Sequence, residues 1–244
     1  MFHLRYSPGY FVPFILVAVI ASTAPGTICN TRAVVASERT PRSDAARLNP
    51  PLLGSYAALG DSVTYGIGAT PHTRGYAYLV EKSLHARHFV DTGIPGITIN
   101  AGYTLELSSA LAIRPSLCTV FFGYNDLAAG VSRSSFLSDL SDMVATLRRA
   151  HCQVLVIGLP DLSLVPSAHV PHVHTTVVSW NRGMSQVAAR NHAYFLDLSK
   201  YAHELATHRN YIAADGLHPS NQGHLRLAQL VAAGILRDKI WRTK

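Results

Sequence analysis

Ser55-Tyr56-Ala57-Ala58-Leu59-Gly60-Asp61-Ser62 sets a short apolar run against a glycine, an acid and a hydroxyl. The run is apolar at successive positions, which suits a strand buried on both faces. Gly60 permits a sharp turn, and Asp61 and Ser62 are residues that favour a helix start. A strand that ends in such a turn and passes into a helix is the opening unit of an α/β fold.

The same alternation continues along the chain. Strands are predicted at Ile97-Thr98-Ile99-Asn100, Leu117-Cys118-Thr119-Val120-Phe121-Phe122, Val154-Leu155-Val156-Ile157 and Tyr194-Phe195-Leu196-Asp197. Helices are predicted over Gly75 to His85, Leu107 to Ile113, Ser134 to Ala150, Thr175 to Asn191 and Asn221 to Leu236. In the third of these, Leu137, Leu140, Val144 and Leu147 recur at three and four, the helical period. Strands alternating with helices predict a parallel sheet covered on both faces, five-stranded here. Ligands bind such sheets beyond the carboxyl ends of the strands. Ser62, Asn100-Ala101-Gly102 and Gly123-Tyr124-Asn125 all fall at ends of that kind.

Composition agrees with a globular domain: of 244 residues, 48% are hydrophobic and 14% charged. The formal charge is +7, and residues 1–33 contribute Arg5 and Arg32 without an acid, which leaves 7 − 2 = +5 for the remainder. Basic residues are scattered rather than gathered into a stripe with aromatics, so a nucleic-acid partner is not expected. Residues 1–33 read as an export signal, with Arg5, the apolar run Phe11 to Ala21, and the small residues Ser22-Thr23-Ala24. An uncleaved membrane anchor through residues 11–28 is the alternative. Residues 34–51 are polar and flanked by proline, as in a linker, and residues 52–244 form the domain. Cys118 and Cys152 start two strands expected to be neighbours. Two buried thiols are the first expectation for them, and a disulfide in an oxidising compartment is the second.

The remaining motif, Asp215-Gly216-Leu217-His218-Pro219, completes a chemistry. A serine hydroxyl needs a base to take its proton before it can attack a carbonyl. His218 is the candidate base. Asp215 is close enough in sequence to hold its Nδ1–H and leave Nε2 facing Ser62. Asn125, after Gly123, offers an amide N–H to a developing oxyanion. Asp126 is expected to bond to loop backbone. The histidine run His169-Val170-Pro171-His172-Val173-His174 fits no standard zinc spacing, so no metal is expected. That loop, with Tyr65, Tyr103, Tyr124 and the stretch 128–133, is expected to rim the cleft.

Together these blocks, in this order over residues 54–236, resemble the SGNH hydrolase superfamily in its GDSL-type branch. The resemblance implies a three-layer α/β/α sandwich with a flavodoxin-like sheet, no cofactor, and hydrolysis of carboxylic esters. It implies Ser62 as nucleophile, His218 as base, Asp215 as its orienter and Asn125 as an oxyanion donor. The family's second block usually runs Asn-x-Gly-x-Ser-Gly, whose last glycine supplies a further oxyanion N–H. Here Leu105 stands in that place, so either Leu105 or, after a shift, Gly102 is the expected donor. The expected substrate is a small-molecule, glycan or lipid ester. An O-acetyl group on a glycan, a lysophospholipid and a thioester are the alternatives within the superfamily, and a catalytically silent binding protein is the alternative outside it.

Overall fold

The computed structural model describes residues 54–165 and 173–240. The expected signal, the linker and most of the 169–174 histidine run lie outside them. Five strands, β1 (Ser55–Gly60), β2 (His88–Asp91), β3 (Leu117–Phe121), β4 (Gln153–Ile157) and β5 (Tyr194–Leu196), pair in parallel in the order β2-β1-β3-β4-β5. The α-helices among the described residues are α1 (Ser62–Tyr65), α2 (Tyr76–Leu84), α3 (Ile99–Leu105), α4 (Leu107–Ala112), α5 (Tyr124–Ala128), α6 (Arg133–Arg149), α7 (Val173–Arg190), α8 (Ala202–Thr207) and α9 (Asn221–Arg237).

Alternation along the strands divides the core into two. Ala57, Leu59, Val120, Val154 and Val156 pack with Ile99 of α3, Ala110 of α4, Leu140 of α6 and Trp180 of α7. Tyr56, Ala58, Leu155 and Ile157 pack with Val80 of α2 and Val231 and Ile235 of α9. The result is a three-layer sandwich in the flavodoxin-like strand order. The chain goes from β1 outward to β2, then returns to the other side of β1 as β3. At this reversal the carboxyl ends of β1 and β3 diverge into a crevice, where such folds bind ligands. Gly60 pairs with Phe121, so the turns that carry Ser62 and Asn125 leave the sheet side by side.

Three expectations are corrected. Ile97 to Asn100 is not the second strand. That place belongs to His88–Asp91, while Ile99 begins α3. The cause lies far along the chain: the carboxylate of Asp126 accepts the N–H of Ile99 at 3.2 Å and 3.3 Å, and a free first-turn N–H capped in this way starts a helix. Asp126 is thus structural, but its partner is the first turn of α3 rather than loop backbone, and burial raises its pKa to about 6.

Cys118 and Cys152 are not two thiols but a disulfide, with Cα atoms 6.2 Å apart. Cys118 sits opposite Val154 in the β3–β4 ladder, and Cys152 precedes Val154 by two residues, so both side chains point to the same face. Their spacing falls within the range a disulfide spans.

Candidate active site

Ser62 is the first residue of α1, immediately after its cap Asp61, whose carboxylate accepts the N–H of Val63 at 3.0 Å. The turn requires glycine at position 60. A β-carbon there would lie 2.1 Å from Thr64 Oγ1 and 2.6 Å from the Phe121 carbonyl. Across the mouth of the crevice, the loop before α9 is tied down by main-chain bonds. Ala213 donates to the carbonyl of His218 at 2.8 Å, and Ser220 donates to that of Tyr211 at 2.8 Å. Ser220 then caps α9 through the N–H groups of Gln222 and Gly223.

This frame brings three side chains together that are up to 156 residues apart in sequence. His218 Nε2 lies 2.8 Å from Ser62 Oγ, and His218 Nδ1 lies 2.7 Å from Asp215 Oδ2. The other Asp215 oxygen accepts the N–H groups of Leu217 at 2.9 Å and His218 at 3.0 Å. Burial pulls the Asp215 pKa upward, but these N–H groups and the imidazole outweigh it, and the carboxyl sits below its ordinary range. An ionised carboxylate can only accept, so the proton on His218 belongs on Nδ1. Nε2 is then left as an acceptor for the Ser62 hydroxyl.

The serine opens onto a cleft of about 500 Å³. Its walls are mainly apolar, with Phe122, Leu159 and Leu162 near the sheet edge and Leu198, Leu205, Leu227 and Leu230 beyond. Asn125 lines it as well. Gly123, in the left-handed region at φ 136°, makes the turn that brings Asn125 there. The Asn125 amide donates to the Ile97 carbonyl at 3.0 Å and to Asp61 Oδ2 at 3.3 Å. Gly102 and Leu105 are elsewhere. Both lie within α3, the Gly102 N–H donates to the Thr98 carbonyl at 2.9 Å, and neither residue lines the cleft. Of the three tyrosines expected at the rim, Tyr124 is in the lining and Tyr65 and Tyr103 are not.

Residues 58–226 match the family model of the GDSL-like Lipase/Acylhydrolase family. The chain belongs to this family. It is accordingly a hydrolase of ester bonds. No curated protein sequence matches it. Among solved structures it is similar to TesA, at 22% identity and a TM-score of 0.62 over 74% of this chain and 97% of that one. It is also similar to the lipase/acylhydrolase of Enterococcus faecalis, at 23% identity and a TM-score of 0.62 over 76% and 97%. A catalytic mutant of Axe2, an acetylxylan esterase from Geobacillus stearothermophilus, aligns at 19% identity and a TM-score of 0.60 over 75% and 94%.

Three polar residues of this GDSL-family hydrolase are buried behind the site, and of these only Asp61 is legible in the sequence, as a candidate helix start. Asp61 is nearly buried, and burial raises its pKa to about 6 despite the Val63 N–H. His224, on α9, is fully buried. Its Nδ1 accepts the N–H of Tyr76 at 3.2 Å, so Nε2 carries the proton and donates to the Ile67 carbonyl at 2.9 Å. Burial holds its pKa down, and it is a neutral strut behind the cleft wall. The third is Glu106, between α3 and α4. His174, from the histidine run, pairs instead with the buried Asp161 at 2.5 Å.

Proposed function

We propose that this family member is an exported serine esterase that cleaves esters of medium-length acyl chains through an acyl-enzyme on Ser62. The observation that carries this is the hydrogen-bonded series Ser62–His218–Asp215 opening onto an apolar cleft. His218 takes the hydroxyl proton as Ser62 Oγ attacks the carbonyl carbon, and Asp215 stabilises the imidazolium. The carbonyl oxygen becomes an oxyanion, received by the Ser62 N–H and by Asn125. The long 3.3 Å contact of Asn125 to Asp61 is the one the oxyanion takes over. His218 then returns the proton to the leaving alcohol, and water repeats the sequence to free the acid.

The acyl class follows from the shape of the cleft. Gly223, Leu227 and Leu230 lie along one face of α9 and line the wall for two turns, about 10 Å at the rise of an α-helix. An extended chain of roughly eight carbons spans that length. An acetyl group would leave most of the apolar wall unused, which favours this reading over deacetylation of a glycan. Turnover of p-nitrophenyl esters from acetate to palmitate tests it, with kcat/KM expected to peak near octanoate. In Leu230→Trp, the octanoate value falls at least about tenfold, since a lost hydrophobic contact is worth 1–3 kcal/mol, while acetate is unaffected. A wild-type optimum at acetate would refute the chain-length assignment.

Export rests on two features: the basic start, apolar core and small residues of segment 1–33, and a disulfide of the kind that persists in oxidising compartments. Among the described residues, no helix is long and apolar enough to cross a membrane.

A further inference from the structure

Glu106 is buried beneath the turn that carries Ser62, with 1% of its surface exposed. Its Oε2 accepts the N–H of Gly60 at 2.9 Å and lies 3.1 Å from the hydroxyl of Thr92. That hydroxyl is also 3.0 Å from the carbonyl of Ala58, which has no proton to give. A threonine hydroxyl donates only once. With Glu106 ionised, that one proton faces two acceptors, of which the Ala58 carbonyl is already served by the Thr92 N–H at 2.9 Å. A proton on Oε2 lets both contacts form at once: Oε2–H donates to Thr92, Thr92 donates to Ala58, and Oε2 still accepts from Gly60.

The second oxygen points the same way. Oε1 has no hydrogen-bond partner among the described residues. It faces carbon, since a β-carbon added to Gly102 would meet it at 3.4 Å and the Phe122 ring at 2.6 Å. An unpartnered carbonyl oxygen is tolerable in such a place, and an unpartnered carboxylate oxygen is far less so. Asp91 from β2 and Asp61 from the turn after β1 are the charges that act on Glu106, and both are acidic. Gly102 of α3 and Phe122 beyond β3 bring no charge.

We propose that Glu106 is a positioning residue for Ser62. As a neutral acid it clamps the Gly60 amide and so fixes the turn that aims the serine hydroxyl. It does this without setting a second negative charge under the site where the oxyanion forms. Gly60 stands two residues before Ser62, so a slip at this clamp moves the nucleophile directly. The assignment rests on Ser62 as the nucleophile.

Burial, reinforced by the two neighbouring acids, moves the Glu106 pKa from an ordinary 4.5 to about 8, with the Gly60 and Thr92 bonds opposing the shift. The folded protein therefore keeps a proton that the unfolded chain releases across this window. Stability declines as pH rises from about 4.5 to about 8 and is then level with respect to this group. Activity declines on the alkaline side as the charge appears under the oxyanion.

The experiment uses the full chain and diethyl p-nitrophenyl phosphate, which releases one p-nitrophenolate for each serine oxygen it phosphorylates. Mass spectrometry locates the adduct, and the rate is followed from pH 6 to pH 10. Wild type is expected to label at Ser62 with an alkaline decline. Glu106→Gln, neutral at every pH, loses that decline, and its rate at pH 7 falls between those of wild type and Glu106→Leu, because no single amide atom can both donate to Thr92 and accept from Gly60. Glu106→Leu, which leaves Gly60 without an acceptor, labels about 10²-fold more slowly, as a misplaced reacting group does. Wild type that fails to label at Ser62 overturns the nucleophile and this proposal with it. Normal wild-type labelling beside a folded Glu106→Leu of unchanged rate overturns the positioning role alone. So does a Glu106→Gln that keeps the alkaline decline, and this second variant decides the matter if the leucine variant does not fold.

Discussion

Replacing Ser62 by alanine lowers kcat toward a p-nitrophenyl ester by at least about 10⁴-fold, with substrate binding and thermal stability close to those of the native protein. The fold should tolerate the change well. The Ser62 hydroxyl meets His218 at the mouth of the cleft, and a typical part-exposed hydrogen bond contributes about 1 kcal/mol. Removing it leaves no buried polar group stranded, because the imidazole can turn to water. The chemistry should tolerate it badly, because among the described residues no other nucleophile stands at that point. His218→Ala is expected to cost as much, and the double variant no more than either alone, since the two side chains act as one unit. Asp215→Ala should cost less. Its side chain is 45% exposed, so water can replace part of what it does for the imidazole. A Ser62→Ala enzyme that turns over within tenfold of wild type, free of contaminating esterase, would place the reaction elsewhere in the molecule.

The parts of the site that are legible in the sequence are those specified by neighbours along the chain. Ser62 follows Gly60-Asp61 at the end of an apolar run, and Asp215 and His218 share one tight loop. The parallel-sheet pattern already places the ends of β1 and β3 at one edge. Features fixed by distant contacts are not legible. Ile97-Thr98-Ile99-Asn100 has the β-branched look of a strand, yet Asp126, 27 residues later, caps Ile99 and makes it a helix start. The true β2 is four residues at the half-exposed sheet edge, with little hydrophobic pattern to announce it. Moving the second block onto α3 in turn removes Gly102 and Leu105 from the cleft. Glu106 reads in sequence as one acid beside a leucine. Its burial becomes evident only with Gly60, 46 residues earlier, as its donor.

Substituting both Cys118 and Cys152 by alanine is expected to destabilise the domain by about 3–4 kcal/mol, because the bridge closes a loop of 34 residues in the unfolded chain. At roughly 2–4 °C per kcal/mol for a domain of this size, the melting temperature falls by about 10 °C. Activity at 25 °C should be retained. The bridge lies in the layer between the sheet and α6 and α7, whereas Ser62, His218 and Asp215 stand at the carboxyl edge of the strands. Thermal melts with and without a phosphine reductant, beside thiol titration of the unfolded protein, measure the effect. Both sulfur-bearing residues are fully buried in the folded chain, so an oxidant must reach them before the core closes. Protein folded in a reducing compartment should therefore titrate with two additional thiols and melt near the alanine variant, whereas exported protein should melt higher and lose that margin only once unfolded in reductant. Identical melting of the two preparations, each with free thiols at both positions, would remove the disulfide and the structural support it lends to export.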